Sequence, residues 1–316
     1  MKYFKITILT LALIFFSLLK QNALAQTFRS FSVSPPTIEQ KIDPGSSVQG
    51  KITLFNNGSE SLSFKSFVRD FVVEDTNGTP VMLNSNENND KFSASSWITF
   101  NPNSFTIPSH GQQNITYYIK VPQEARPGGH YASILFQPEN NLGTIKPSAE
   151  VSAQVGSLFY IDVSGKIVEN ATAEFLNTRS LYEYGPLNIL SRIKNNGDLH
   201  INPASKVEVF DMIGRKIQIS ELESTNIFPG ASRDFENKIG SKFMIGRYKI
   251  SLTGVYGQNN NELTAVAYFW VFPWKIVLAI ILSVIAAGLL IIVFKNKSSK
   301  SSGGDNLGTN KPEPQA

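Results

Sequence analysis

Ile52-Thr-Leu-Phe-Asn-Asn-Gly58 and Ser191-Arg-Ile-Lys-Asn-Asn-Gly197 are one phrase written twice, a short alternating run that ends in Asn-Asn-Gly. Alternation over a few residues is the mark of a half-buried strand, and Asn and Gly accept the positive φ that tight turns demand. The phrase does not recur alone. In the first half it is followed by Phe105-Thr-Ile-Pro108 and then by Gly129-His-Tyr-Ala-Ser-Ile-Leu135. In the second half Asn226-Ile-Phe-Pro229 and Gly246-Arg-Tyr-Lys-Ile-Ser-Leu252 follow in the same order. Three signals repeated in order predict two copies of one β topology.

The residues between these landmarks have the same texture. From Phe28 to Phe272 short β-branched and aromatic runs are cut by Gly, Pro, Asn and Asp, with no sustained helical period. Asp75-Thr-Asn-Gly78 reads as a hairpin turn after Phe64–Val73, and Val207–Phe210 returns as Lys216–Ile219 around residues 211–215. Strands at this spacing predict an all-β chain of two tandem sandwiches, residues 26–164 and 165–272. Asn84–Ser96 reads as a polar excursion inside the first, and Gln137–Lys146 carries the weakest strand signal.

The two ends of the chain predict its address. Met1 to Ala25 has Lys2 and Lys5, an apolar stretch from Ile6 to Leu19, and Ala23-Leu24-Ala25, the pattern of a signal peptide cut between Ala25 and Gln26. No cysteine follows the cut, which excludes a lipid-anchored lipoprotein. Ile276 to Phe294 is free of charge and at helical rise is about 28 Å long, enough to cross a bilayer core. Trp270 and Trp274 precede it and Lys295, Lys297 and Lys300 follow. A single transmembrane helix over 274–294 is therefore expected, with the sandwiches outside and a disordered cytoplasmic tail over 295–316.

The formal charge of +4 does not point to nucleic acid. Three of the 29 basic residues lie in the leader, Lys275 sits at the membrane edge and four more lie in the tail. Asp305 and Glu313 are the tail's acids, so the exposed segment holds 21 basic against 23 acidic residues. A near-neutral segment has no polyanion-steering field. The absence of cysteine excludes disulfides and thiolate-held metal. His110, His130 and His200 each fall in or beside a predicted turn, without the spacing of a metal site. Asp70, Glu74 and Asp75 read as solvated strand-end charges. No Gly-x-Ser-x-Gly elbow and no phosphate-cradling glycine loop occurs. The expectation is a non-enzymatic protein without cofactor or metal, whose binding residues the sequence does not single out.

Phe31-x-Val-x-Pro35, Asp43-Pro-Gly45, Trp97-Ile-Thr-Phe100 and Pro127-Gly-Gly-His-Tyr131 together resemble the peptidoglycan-binding domain of WxL-interacting surface proteins. Tyr184-Gly-Pro186, Asn195–Pro203 and Gly246-x-Tyr248 resemble the second sandwich of such chains, and the layout of leader, two immunoglobulin-like β-sandwiches, span and basic tail is similar. The resemblance implies a bacterial cell-surface protein that engages cell-wall polymer or another surface protein. The Asn84–Ser96 excursion departs from it. The N-terminal layout also resembles that of pilus chaperones, which are soluble. That likeness implies the alternative, a membrane-tethered assembly chaperone that lends an edge strand to exported subunits. Without local charge clusters, binding is expected to be insensitive to salt; Lys41 with Lys51 and Arg179 with Arg192 are the pairs to inspect for a hidden basic patch.

Overall fold

The computed structural model describes residues 30–84, 91–139 and 153–301. The leader with its cut at Ala25–Gln26, most of the tail, and parts of the two weak stretches lie outside the described residues. The chain divides into two compact units, one reaching Val72 and resuming from Met82 to Lys166, the other made of Val73–Val81 and the residues from Ile167 onward.

The first ten strands are β1 (Phe31–Ser34), β2 (Thr37–Ile42), β3 (Ser47–Asn56), β4 (Leu62–Val73), β5 (Pro80–Met82), β6 (Ile98–Asn101), β7 (Ser104–Ile107), β8 (Gln112–Lys120), β9 (Gly128–Pro138) and β10 (Val155–Val163). They form one sheet in the order β1-β3-β8-β6 and another in the order β2-β10-β9-β4-β5, with β7 beside β4. The remaining strands are β11 (Ala171–Phe175), β12 (Leu181–Tyr182), β13 (Leu187–Asn195), β14 (Ala204–Phe210), β15 (Lys216–Glu221), β16 (Ser232–Ile239), β17 (Gly246–Tyr256) and β18 (Asn261–Val271). Their sheets run β11-β13-β16 and β12-β18-β17-β14-β15. The two orders agree once β1 is matched to β11, β3 to β13 and β10 to β18, except that β6 and β7 have no counterpart in the second set. In both, the early strand β2 or β12 lies parallel to the last strand while every other described pairing is antiparallel.

Each core follows from period-two alternation, which sends every second side chain to the inner face. Ile52, Leu54, Ile115, Ile119, Phe136, Phe159 and Ile161 meet in the first unit; Ile189, Ile193, Val207, Ile250, Leu252 and Phe269 meet in the second. The Asn-Asn-Gly phrase does more than turn the chain. Asn56 is 1% exposed, and its Nδ2 donates to the carbonyls of Glu60, Ile107 and Pro108 at 2.7, 3.1 and 3.0 Å while Oδ1 accepts from Gly58 N–H at 3.0 Å. Asn195, fully buried, repeats this with Leu199 and Ile227 carbonyls at 2.8 Å each and with Gly197 N–H at 2.8 Å. One amide ties the end of a strand to its own loop and to a second segment some fifty or thirty residues on.

These equivalences shift two of the aligned landmarks by one residue. Asn56 and Asn195 both take the carbonyl of an isoleucine, so Ile107 matches Ile227 and Pro108 falls opposite Phe228 rather than Pro229. Likewise Gly128 and Gly246 both face the last residue of the final strand, Val163 and Val271, with φ of 111° and 113°. Tyr248 therefore matches His130, not Tyr131. That corrects the placing of His130 at a turn: it lies within β9, 3% exposed, where a core tyrosine stands in the other unit. Its Nδ1 and Nε2 face the carbonyls of Ser93 and Arg126 at 3.0 and 2.9 Å, and burial holds its pKa below the ordinary value despite those acceptors. His200 is also buried, and His110 occupies a turn with φ 55°.

Asp70 is likewise a structural group, 8% exposed rather than solvated. Its two oxygens accept from Ala94 and Ser95 N–H at 2.9 and 2.7 Å and from Ser93 and Ser95 hydroxyls at 2.6 and 2.7 Å. The end of the polar excursion is thereby held on the sandwich. A C-terminal helix, α1 (Trp274–Ser301), passes beyond the expected limit at Phe294, because residues 295–301 contain no glycine or proline to end it.

Asn56→Ala and Asn195→Ala should each lower unfolding stability by about 2–3 kcal/mol, since each strands several buried carbonyls, while Asn57→Ala and Asn196→Ala should cost less than about 0.5 kcal/mol. Urea unfolding of the four variants checks this; equal losses for all four would contradict the clamp.

Candidate binding surface

The outer face of the larger sheet differs between the two units. In the first, Tyr160 of β10 is 7% exposed and packs with Phe71 and Tyr131 at ring separations of 6.0 and 6.1 Å. Phe92, from the segment that Asp70 holds down, lies 6.4 Å from Tyr131 and closes that face. In the second unit the matching residue is Tyr268 of β18, which is 53% exposed. Val266 and Trp270 alternate with it on the same side and are equally open. Cross-strand register places Arg247, Lys249 and Ser251 of β17 beside them, then Phe210 and Glu208 of β14, then Ile219 of β15.

β15 ends this sheet. Among the described residues only β14 pairs with it, on one side, and Leu222 N–H donates to Ser205 carbonyl at 2.9 Å. Antiparallel ladders alternate, so Ser220 and Gln218 also turn their backbone groups toward β14, and those of Ile219 and Glu221 point out of the sheet. A bulge at Val209/Phe210 inserts Ile217 on the edge. Ile217 and Ile219 are 47% and 54% exposed and share the outer face with Glu221. On the inner side Gln218 reaches across to Lys238 carbonyl and Gly240 N–H, at 2.9 and 2.8 Å, and closes the sandwich behind the strand. The outcome is a six-residue edge with unpaired backbone groups, two isoleucines and a charge at each end.

Charges are arranged on the same face. Glu208 lies between Lys216 and Lys206 at 2.7 and 3.3 Å. The Lys216 hydrogen bond, more than the Lys206 contact, holds its carboxyl below the ordinary value of 4.5, against the opposing pull of burial. Arg247 sits 4.6 Å over the Tyr268 ring and Lys249 5.4 Å from the Phe210 ring. A groove of about 710 Å³ opens at the Glu221 end of the edge, lined by Lys206, Glu221, Thr253, Val255 and Thr264. A smaller hollow of about 350 Å³ lies at the other end between Phe210, Met212, Lys249 and Tyr268. The arrangement offers backbone hydrogen bonds, apolar contact and paired charge, which suits an extended peptide.

Of the basic pairs singled out in the sequence, Lys41 and Lys51 are not brought together. They lie on different sheets, with Lys41 Nζ 3.9 Å from Asp162. Arg192 makes a bidentate pair with Asp234 at 2.7 and 2.8 Å on β13 and β16, while Arg179 precedes β12. Among the described residues no group of three His, Asp or Glu side chains gathers as a metal site would. None of the edge residues stood out in the sequence, because the Lys216–Ile219 run signals a strand but not whether anything pairs beyond it.

No family model matches this sequence, and no curated protein matches it. Solved structures similar to it include the class 5 fimbriae chaperone CfaA, 12% identical over 76% of this chain and 99% of that one, with a TM-score of 0.39. The Pseudomonas aeruginosa CupB2 chaperone is similar at 9% identity over 74% and 98%, with a TM-score of 0.35. A chain of the complex of Salmonella enterica SafA pilin with the SafB chaperone is similar at 11% identity over 77% and 99%, with a TM-score of 0.38. The strand order given above stands independently of these likenesses.

Because the folded pKa of Glu208 is depressed, its contribution to stability is present above the unfolded value of 4.5 and lost as pH falls through the lower folded one. Glu208→Gln should therefore unfold at lower temperature than the parent at neutral pH, with the gap closing on acidification. A gap that stays constant from neutral to acid pH would show that the Lys216 and Lys206 contacts contribute nothing.

Proposed function

We propose that this chain is a single-pass envelope protein built of two immunoglobulin-like sandwiches, and that the second takes up an extended segment of another exported protein along the open edge of β15. The observation that carries the reading is the edge itself. Six residues present alternate unpaired backbone groups and two exposed isoleucines, the features that strand addition uses. Lys216 and Glu221 at its ends fit a surface guarded against indiscriminate pairing.

In the first unit, β10 is flanked by β9 on one side and by β2 along Leu158–Val163 on the other, so that strand is not the one on offer. The anchor reading rests on Trp274–Phe294, none of whose side chains is buried, with Ser283 Oγ donating to Ala279 carbonyl at 2.8 Å. Lysines after the span and tryptophans before it support sandwiches on the extracytoplasmic side. The function is that of a tethered binding protein or assembly chaperone.

A photoreactive residue placed at position 217 of the full chain, in the cells that make it, should give discrete adducts with exported proteins. Ile219→Pro should abolish them without unfolding the protein, since it removes an outward N–H and leaves the β14 ladder intact. Adducts with cell-wall polymer alone, or adducts that survive Ile219→Pro, would overturn the strand-pairing reading.

A further inference from the structure

β18 ends at Val271 and α1 begins at Trp274, so only Phe272 and Pro273 separate sheet from helix. Three chain steps span at most about 11 Å. The junction is also pinned: Phe272 N–H donates to Tyr182 carbonyl at 2.9 Å, and Lys275 Nζ lies 2.7 Å from Glu183 just past β12. If α1 crosses a bilayer, the near end of this sandwich cannot stand clear of the headgroup layer.

What that end displays matches the layer. The β14–β15 turn continues from Phe210, which faces Lys249, toward the level of Gly246 and Val271, and the β16–β17 loop leads directly into Gly246. The first carries Met212 and Ile213, 64% and 69% exposed; the second carries Phe243 and Ile245, 89% and 67% exposed. The loops at the opposite end, residues 196–203, 222–231 and 257–260, carry no exposed large apolar side chain. Val168, 60% exposed and hydrogen-bonded to Asp198 of the first of those loops, is the exception, so the apolar tips are concentrated at the end from which the helix leaves. Lys242 and Arg247 flank them, both exposed, as cations suited to lipid phosphates.

We infer that this end of the second sandwich is itself a lipid-binding surface. Met212, Ile213, Phe243 and Ile245 enter the boundary between headgroups and acyl chains of the adjoining leaflet, and Lys242 and Arg247 meet its phosphates. Side chains of this kind bury about 5–10 Å into that boundary. The sandwich is then held at a fixed attitude by loop tips as well as by its helix, and β15, which starts at the same turn, rises from the membrane surface. The inference rests on the reading of α1 as a membrane span.

The chain has no cysteine, so single-cysteine variants report one site each. Ile213→Cys, Phe243→Cys, Val168→Cys and Leu289→Cys, each in the full chain labelled with an environment-sensitive fluorophore, are placed in vesicles of phosphatidylcholine and phosphatidylglycerol. Labels at 213 and 243 should be blue-shifted and quenched by lipid-borne nitroxide several-fold more than the label at 168. If aqueous iodide quenches them as fully as it does 168 while 289 stays shielded in lipid, the inference is overturned and the anchor stands. If iodide reaches 289 as well, the anchor falls and the inference with it.

Discussion

Each of the two compact units depends on one buried amide. An asparagine side chain offers two donors and an acceptor within one rigid plane, and in the core of a sandwich these are satisfied only if several backbone segments converge on it. Asn56 draws in Glu60, Ile107, Pro108 and Gly58; Asn195 draws in Leu199, Ile227 and Gly197. Each bond contributes about 1 kcal/mol, but leaving the same groups buried and unpaired costs more, so the residue fixes where the sheets are joined. Apolar packing supplies most of the stability and tolerates exchange. The amide specifies the connection.

With the connection fixed twice, the units differ by what covers them. In the first, Asp70 holds Ser93–Ser95 and brings Phe92 over Tyr131, so the outer aromatic face is closed. The second has no counterpart among its described residues, and Tyr268, Val266 and Trp270 remain open on β18, on the sheet face that runs across β17 and β14 to the edge strand β15. One topology thus yields a unit with a closed outer face and a unit with an open one, and the polar excursion that interrupts the first sequence is the physical reason for the difference.

The sequence reading captured the repeated strand-to-turn phrases, the Val207–Ile219 hairpin and the apolar span, because alternation and charge-free length are local properties. It misplaced by one residue the proline and tyrosine landmarks, since turns of different length still carry similar residues; His130 consequently passed for a turn residue although it occupies a core position. Asn56 looked like a turn former because its partners lie about fifty residues away. Asp70 looked solvated for the same reason. The open edge was illegible: period two tells which side chains share a face, while strand order, which decides whose backbone is left unpaired, is set by distant pairing.

The central claim is that β15 presents alternate backbone groups to an incoming strand. Residue-resolved amide exchange on the full chain in lipid tests it most directly. The free protein should protect Gln218 and Ser220 while Ile219 and Glu221 exchange rapidly, and addition of the exported-protein fraction of the same cells should slow Ile219 and Glu221. Uniform protection of all four in the free protein, or an added fraction that leaves Ile219 and Glu221 fast while protection appears elsewhere, would contradict the account.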